Sequence, residues 1–594
     1  MHKILKKRRI EWFVFFAFII VYIMVSIFHE PWFDEAQAWQ IAKCANINDI
    51  FFTIPHYEGH PPLWHLILAV PAKLGVPFEI GLKSIGFIIS AASVFLLLFN
   101  SQLPRMVRLL LPFSYFFFYQ YGIVVRPYCL MLLVMILLGI NYNRWNCHPW
   151  IVIILLSILC LTCAYGIVLA GGIALCLVCD LFLEKGLTSF IRDLFKDKRL
   201  LALLFLLIIA ILIIFNIFPR KDTFSSMIQG KNPLIKCIAC SLFIFPLECF
   251  LTTTSWFSID RVLLQNANIS NTELLLFLLI GIFFWFFIIC VSTKRNLKLL
   301  FFPYFLFAMF SAAVYFSCHH LGIVFIFFVF WFEVQFQDSN CFEMGKNISL
   351  IIARTERDHQ LIQKMMKWIG FVCLIIPVCW SISASFADIR TNYCFGRETA
   401  EFIKKNDLDD KLILAQWSVE GSEYAESEGH DDYINPNIDG IGTLLSAYFS
   451  QNMSLCLNNK DDDKAYTFYK KSSYKESQEN IIILKEQGVP DLILGKPRLE
   501  LVYGKELDYS DYSLVKIIHF NYIWKTGKIR YYLPIFMHNS LISQYEMNPI
   551  TGIDEIMING FTITEEMKEQ FENGVSVEEI LKPYLDAMFG EEKK

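Results

Sequence analysis

The sequence lacks the short motifs that mark several common classes of enzyme. It has no Gly-x-x-x-x-Gly-Lys-Ser/Thr phosphate loop, no Gly-x-Ser-x-Gly nucleophile elbow and no His-Glu-x-x-His zinc motif. The first absence argues against ATP as an energy source, and the other two argue against the hydrolases that use those motifs. A strong excess of one charge is also lacking. The formal net charge of −4 is too small to indicate binding to nucleic acid.

Charged residues are scarce over the first two thirds of the chain, where apolar residues dominate. Of the 594 residues, 55% are hydrophobic, and the mean hydropathy is +0.46. Soluble domains have about 45–50% apolar residues even with glycine counted. Runs rich in Phe, Leu and Ile extend to about Phe386, and polar residues dominate afterwards. The sequence therefore predicts a membrane part followed by a water-soluble part.

The 17 cysteines do not indicate a disulfide scaffold, because most lie inside apolar runs, where Cys behaves as a small hydrophobe. Only Cys394 and Cys456 fall in the predicted soluble part, and the sequence leaves their pairing open.

A helix needs about 20 apolar residues to cross a bilayer. By this measure we predict about eleven spans, near residues 11–28, 80–99, 108–123, 127–142, 150–164, 167–183, 199–218, 272–292, 299–316, 321–336 and 367–386. The stretch 233–252 is also apolar but contains Lys236 and Glu248, so it could be a span, a re-entrant segment or an interfacial helix. The first run, Trp12 to Phe28, lacks a small-residue cleavage site and is interpreted as a retained span.

The distribution of Lys and Arg predicts the orientation in the membrane. Most basic groups lie before the first predicted span, at Lys6 to Arg9, and in every second loop after it. These segments should therefore be cytoplasmic. Arg220 and Lys221 are the exceptions. The same alternation places the segment 29–79 and the whole C-terminal part outside a plasma membrane.

Three regions follow from these patterns: a helical membrane domain over 1–386, a soluble α/β domain over 387–547 and an acidic helical tail over 548–594. In the second region we predict a helix at Glu398–Lys405, a strand at 412–417, a helix near 440–450 and a strand at 491–495. This alternation predicts a small, partly parallel sheet. The tail shows no sign of a core.

Four segments at the predicted outer face concentrate polar residues, which are costly at a membrane boundary. The first follows the first span and contains Asp34 and Glu35. Paired carboxylates at an interface can supply a general base. Asp34 could equally be the N-cap of a helix over residues 35–45. The residues alone leave both interpretations open.

The other three segments are rich in histidine and arginine. His56, Glu58 and His60 lie in one short stretch and could hold a phosphate or a metal, although their spacing matches no metal motif and the nearby prolines indicate a helix start. Arg126 is either an interfacial anchor or an anion clamp. Adjacent His319 and His320 point to different sides of a helix, so at most one should face a pocket.

The order of these segments resembles the GT-C superfamily of membrane glycosyltransferases, in particular the protein O-mannosyltransferase and lipid A aminoarabinose-transferase branch. The similarity lies in FDEAQAW after the first span, EGHPPLWHLIL in the first outer loop and VVRPYCLMLL at the third outer boundary. LTCAYGIVLA and CHHLGIVFIF extend it over roughly residues 11–335. The predicted outer α/β domain is similar to C-terminal domains of bacterial members.

The resemblance implies an enzyme that moves a sugar, with inversion, from a polyprenyl-phosphate donor to a glycan, lipid or protein acceptor at the outer face. It implies that Asp34, with Glu35 as its neighbour, is the acidic residue of the acceptor site. Arg126 would bind the donor phosphate together with His319 and His320, although relatives often have Arg-His at the latter pair. His56, Glu58, His60 and Tyr128 would bind substrate, and no cofactor is certain, with a divalent metal left open. The alternatives are a transporter or flippase, a glycan ligase or polymerase with a lipid-diphosphate donor, and a structural scaffold.

Overall fold

The structure is a computed structural model that describes most of the chain. It covers residues 8–223, 233–252, 271–293, 296–314, 316–338, 356–420, 429–435, 437–457, 465–552, 564–575 and 579–580. About 68% of it is helical, and a small sheet forms near the C-terminal end.

Seven helices of the described chain are long and apolar enough to cross a membrane, which fits a polytopic helical membrane protein. They are Arg9–Phe28, Phe78–Phe99, Pro127–Arg144, Ala164–Arg192, Lys198–Ile217, Cys318–Phe336 and Lys367–Arg390. Four shorter apolar helices are Leu63–Lys73, Pro149–Cys160, Leu275–Val291 and Leu297–Ala313. Seven of the eleven predicted spans coincide with the long helices, and three coincide with short ones.

The remaining predicted span, 108–123, is not one straight helix. It consists of an α-helix at Arg105–Leu110, a 3₁₀ turn at Leu111–Phe113 and a π-helix at Tyr115–Ile123. All nine residues of the π-helix are buried. They pack against the first, second and last long helices, so this segment is central in the bundle. Such π-helical turns recur at functional sites.

The ambiguous stretch 233–252 is helical over most of its length. It contains α-helices at Leu234–Ala239 and Phe245–Phe250, joined by a π-helical turn at Cys240–Ile244. Glu248 is buried, and the Nζ of Lys525 lies 2.7 Å from its carboxylate. A buried ion pair of this kind explains how an acidic residue is tolerated in an apolar segment.

Four short helices lie between the first and second long helices. They are Phe33–Cys44, Ile47–Phe52, Pro55–Glu58 and Leu63–Lys73. The first of them packs against the last and also against a helix of the C-terminal region, Gly440–Ala447. The candidate residues between the first and second long helices are therefore held between the bundle and the C-terminal region.

The C-terminal region contains a four-stranded sheet in the order β1-β4-β6-β5, with β1 at Ile413–Ala415, β4 at Leu492–Leu494, β5 at Tyr512–Trp524 and β6 at Gly527–His538. The pair β1 and β4 is parallel, and the other pairs are antiparallel. A separate pair is formed by β2, Ser418–Glu420, and β3, Tyr433–Asn435.

The two predicted strands are β1 and β4, and the predicted helices are Gly396–Lys405 and Gly440–Ala447. A further helix at Tyr474–Gln487 and the long β5–β6 hairpin were not predicted.

The tip of this hairpin reaches into the helical bundle. The side chain of Trp524 is fully buried, and its ring lies 5.6 Å from that of Tyr115 in the π-helix. The next residue, Lys525, donates hydrogen bonds from Nζ to the carbonyls of Glu248 and Thr252 as well as to the Glu248 carboxylate. The bundle and the C-terminal region thus share one core, which the division of the sequence at residue 386 did not predict.

The acidic tail contributes to the core as well, contrary to the expectation from its composition. Ile550, Met567 and Ile580 are buried in one cluster with Leu514 and Phe536 of the sheet. Its described helix, Glu565–Glu572, presents Met567 to this cluster. The pairing of Cys394 and Cys456 is also settled, because both thiols are free and buried.

Candidate functional site

The site begins with the helix Phe33–Cys44, which carries Asp34 one residue after its first position. The helix is capped at Trp32, whose N–H donates to Oε2 of Glu35 at 2.8 Å. Asp34 makes no cap, so that interpretation of Asp34 is wrong. Its Oδ2 instead lies 2.8 Å from Nη2 of Arg126, and a quarter of its side chain is exposed.

Glu35 is buried and holds two segments of backbone. Only 1% of the residue is exposed. Besides accepting the Trp32 N–H, it accepts the N–H of Val125 through Oε1 at 2.6 Å. Both of its oxygens are therefore occupied by backbone donors, one at each segment that carries the Asp34–Arg126 pair. The expectation that Glu35 shares the chemistry with Asp34 stays a prediction, while the contacts of Glu35 in the structure are to backbone.

Arg126 lies between the π-helix and the helix that starts at Pro127. Its backbone is extended, and Pro127 begins the helix because its missing N–H costs nothing at that position. The guanidinium lies over the ring of Tyr128, 5.3 Å from the centroid. Burial lowers the pKa of Arg126, but the Asp34 carboxylate outweighs that effect and the pKa is raised. Arg126 is therefore a permanent cation in the site.

Glu58 lies close enough to Asp34 for the two carboxylates to influence each other. Burial, and secondarily the charge of Asp34, raise the pKa of Glu58 to about 8. Its Oε1 accepts a hydrogen bond from Nε2 of Gln37 at 3.0 Å. Gly59, with φ of +63°, turns the chain after Glu58 and is a position that favours glycine.

Gln37 was not predicted as a site residue. The signal that could have found it is its position three residues after Asp34, because residues at this spacing share one face of a helix.

The two candidate histidines of the second segment, His56 and His60, differ in their surroundings. Burial, and next the charge of Arg126, lower the pKa of His60 to about 3, so this imidazole is neutral near pH 7. Its buried Nδ1 has no hydrogen-bond partner in the described part of the chain. His56 instead turns toward the end of another helix, with Nδ1 2.7 Å from the carbonyl of Phe218. The structure therefore groups His60, but not His56, with Arg126.

The late histidine pair forms a 3₁₀ turn at the start of the helix Leu321–Phe336. His320 is buried, and its ring lies 4.8 Å from that of Tyr165. His319 is partly exposed and lies 6.4 Å from the ring of Tyr128. The ring of Tyr128 also lies 5.7 Å from that of His320, and the two imidazole rings are 4.1 Å apart. The prediction that the two histidines point to different sides is therefore wrong, because they form a 3₁₀ turn in which both side chains reach the Ser317 hydroxyl.

A buried network supports the site from behind. Nδ1 of His29 lies 2.8 Å from Oδ2 of Asp388, and Tyr119 donates to the same oxygen at 3.1 Å. Nε2 of His29 is 3.7 Å from Glu35. Burial lowers the pKa of His29, but the Asp388 and Glu35 carboxylates outweigh it and raise the pKa to about 9. An imidazolium thus ties the last long helix to Glu35.

Aromatic side chains from distant parts of the chain border the same region. The ring of Trp32 lies 5.5 Å from that of Tyr522 on β5 and 5.9 Å from that of Tyr393. The hydroxyl of Tyr522 is 3.7 Å from the thiol of Cys318, next to His319. Neither Trp32 nor Tyr522 was predicted, because nothing in the sequence indicates that β5 reaches the bundle.

Taken together, Asp34, Arg126, Glu58, His60 and Tyr128 form a polar cluster that can hold an anion beside a carboxylate. Within the described residues, no group of three or more His, Cys, Asp and Glu side chains is arranged to hold a metal ion. Comparison with known proteins finds no matching family model, curated protein or solved structure. The function must therefore be argued from this cluster and from the motifs that carry it.

Proposed function

We propose that this protein is a membrane glycosyltransferase of the GT-C type, which transfers a sugar from a polyprenyl-phosphate carrier to a glycan, lipid or protein acceptor. In this proposal Asp34 is the general base and Arg126 binds the donor phosphate. The observation that carries it is the 2.8 Å contact between these two side chains, which come from two separate motifs of the resemblance.

The proposed reaction is a single displacement at the anomeric carbon of the sugar. Asp34 takes the proton of an acceptor hydroxyl, whose oxygen attacks the anomeric carbon from the face opposite the phosphate. The bond from that carbon to the phosphate oxygen breaks, and its electron pair leaves with the lipid phosphate, so the configuration inverts. A positioned base contributes about 10²- to 10⁴-fold, and a fixed cation stabilises the leaving phosphate.

The residues around the Asp34–Arg126 pair would make the remaining contacts with the substrates. A neutral His60, with one buried ring nitrogen unpaired in the described structure, can hydrogen-bond to an uncharged sugar hydroxyl or to a phosphate oxygen. Glu58 and Tyr128 would complete the substrate contacts, and His319 would lie near the phosphate. Trp32 and Tyr522 offer ring faces of the kind that cover apolar surfaces of a bound ligand.

The proposal places the site at the outer face of the plasma membrane, with the C-terminal region as an extracytoplasmic domain above it. The Lys and Arg distribution supports this orientation. The segment 465–470 supports a C-terminal region that covers the site. The carbonyls of Thr467 and Ala465 accept hydrogen bonds from Gln37 and Gln40 of the helix that carries Asp34.

A transporter is the alternative from another class, and it requires ionisable groups deep in the spans. The buried charged residues Glu11, Glu333 and Asp388 of the long helices lie close to helix ends instead. This placement favours chemistry at a membrane boundary over transport through the bundle.

The proposal is tested by mass spectrometry of carrier lipids and surface glycans in cells that lack the protein. We expect one polyprenyl-phosphate sugar to accumulate and one sugar modification to disappear, with rescue by the wild type. Accumulation of a lipid diphosphate would point to the ligase or polymerase alternative. Unchanged lipids and glycans in the deletion strain would contradict enzymatic transfer.

A further inference from the structure

The ion pair between Asp34 and Arg126 has a property that the proposed roles alone do not require. The carboxylate that would accept a proton and the guanidinium that would bind a phosphate occupy each other. While the two groups are in contact, the carboxylate oxygen that faces the guanidinium is not available to an acceptor hydroxyl, and the guanidinium is not available to a phosphate. In the state described by the structure, neither residue is ready for its role.

The pair can separate without unfolding its surroundings. The backbone at Trp32 and the backbone at Val125 are both fixed by Glu35, whose oxygens accept their N–H groups at 2.8 Å and 2.6 Å. Glu35 is itself next to His29, at 3.7 Å. These contacts do not involve the side chains of Asp34 or Arg126, so the two side chains are free to change partners.

Another ion pair of the protein shows the contrast. Arg397 binds Glu79 through two nitrogens, at 2.9 Å and 2.6 Å, and Lys83 binds the same carboxylate. Two-point geometry with a second cation is typical of a permanent structural contact. Arg126 has a single ion-pair contact with Asp34, and the side chain of Asp34 is a quarter exposed, so an incoming anion has less to displace.

We infer that the Asp34–Arg126 pair is a latch that the lipid phosphate of the donor opens, an inference that rests on the proposed function. The phosphate takes the guanidinium from Asp34 and thereby frees the carboxylate to accept the acceptor's proton. The donor must therefore bind before the acceptor can react. After transfer the lipid phosphate leaves, the pair forms again, and the proton on Asp34 passes to water.

The latch makes an unusual prediction about binding, because removing a proposed catalytic residue should improve it. Asp34→Asn removes the competitor for Arg126, so polyprenyl phosphate without a sugar should bind about two- to fivefold more tightly than to the wild type, the worth of a partly exposed ion pair. Arg126→Ala should weaken this binding, and in the double variant Asp34→Asn should no longer tighten it. The probe is radiolabelled polyprenyl phosphate with purified full-length protein in detergent.

Asp410→Asn is the matched control, because it makes the same chemical change at an exposed acid paired with Lys411. It should not alter binding. If Asp34→Asn is poorly folded, as judged by its unfolding temperature, Asp34→Ala provides the second test with the same expected direction. Binding that is unchanged or weaker in a folded Asp34 variant would overturn the latch.

The outcomes separate the latch from the proposed function. An Asp34→Asn protein that loses transfer but binds the lipid phosphate no more tightly than the wild type would support Asp34 as the base and contradict the latch. An Asp34→Asn protein that binds the lipid phosphate more tightly and still transfers the sugar normally would support the competition for Arg126 and contradict Asp34 as the base.

Discussion

At the scale of single residues, the two acidic neighbours at the start of one helix have different surroundings. Asp34 turns to a guanidinium at the partly exposed side of the helix, whereas Glu35 is buried against two backbone N–H groups. Their adjacency in the sequence gives no sign of this difference. What decides it is which side chain faces Val125, and that depends on how the π-helix approaches the Asp34 helix.

Arg126→Ala should weaken use of the lipid-phosphate donor by about 1.5–3 kcal/mol, the value of a hydrogen bond to a charged group. This corresponds to roughly a ten- to hundredfold loss of affinity. Arg126→Lys should recover only part of the loss, since the planar fork is absent. The measurement is the apparent donor affinity in a transfer assay. Arg192→Ala, at a largely exposed arginine, is the control, and an unchanged affinity in Arg126→Ala would reduce Arg126 to an anchor.

His29 should make the folded protein less stable as the pH rises. Its pKa is about 9 in the folded state against 6.5 for the ordinary group. The folded state therefore holds this proton more tightly, so the stabilisation is fully present below pH 6.5 and is lost as the pH rises through 9. The unfolding temperature of His29→Gln should fall furthest below the wild type near pH 6, and the gap should narrow toward pH 9. A gap independent of pH would contradict a charged His29.

Residue types alone pointed to Asp34, Glu58, His60 and Arg126, because polar groups at apolar boundaries stand out, and the family resemblance added Tyr128. His56, which was also predicted, binds the Phe218 carbonyl and does not join this cluster, and His29 was not predicted. The partner of His29, Asp388, is 359 residues away along the chain, and no local pattern indicates such a pair.

At the scale of elements, the β5–β6 hairpin is the feature that joins the two regions. Lys525 at its tip is fully buried, with its charge neutralised by Glu248 and its ammonium 4.4 Å from the centroid of the Trp380 ring. Three elements of different origin meet there: the hairpin, the helix Phe245–Phe250 and the last long helix. The tip of the hairpin therefore fixes the C-terminal region to the bundle.

Lys525→Met should destabilise the protein strongly, because it leaves Glu248 buried without its cation, at a cost of about 3–5 kcal/mol. Adding Glu248→Gln should recover part of the loss, since the unpaired charge is then gone. Thermal unfolding of the purified protein measures both variants. Equal stability of Lys525→Met and the wild type would show that the hairpin tip is not held in this way.

Local pattern predicted the elements whose residues carry their own signal. Strands β1 and β4 are short apolar runs bounded by turns, and the helix Gly396–Lys405 has a clear apolar face, so each was found. The hairpin escaped because β5 and β6 mix polar and apolar residues, with lysines and asparagine among them. Its tip, Ile523 and Trp524, is buried against the bundle, and the rest of its apolar residues are buried within the C-terminal region.

At the scale of the whole molecule, composition was enough to predict a membrane protein. The seven long apolar helices and three of the four short ones account for ten of the eleven expected spans, because hydrophobic length is a constraint that the bilayer imposes directly. The segment 108–123 was predicted as one span because its composition is largely apolar. Composition cannot distinguish a lipid-facing helix from a π-helix buried among other helices.

The orientation can be tested with cysteine labelling in intact cells. The native Cys394 and Cys456 are buried and would stay silent whichever way the protein faces. A cysteine in place of Lys475, whose side chain is 87% exposed, should react with an impermeant thiol reagent added outside. The exposed native Cys147 should react only after the membrane is permeabilised. The reverse pattern would place the C-terminal region inside and contradict an outer-face site.

The central claim is that Asp34 takes the proton of the acceptor, and one measurement tests it most directly. Asp34→Asn keeps the size and polarity of the side chain but removes the base. With purified protein and the lipid-linked sugar that accumulates in deletion cells, turnover should fall by about 10²- to 10⁴-fold. Glu35→Gln should instead lower the unfolding temperature, because Glu35 holds two backbone segments. Near-normal transfer by folded Asp34→Asn protein that still binds the donor would contradict the account.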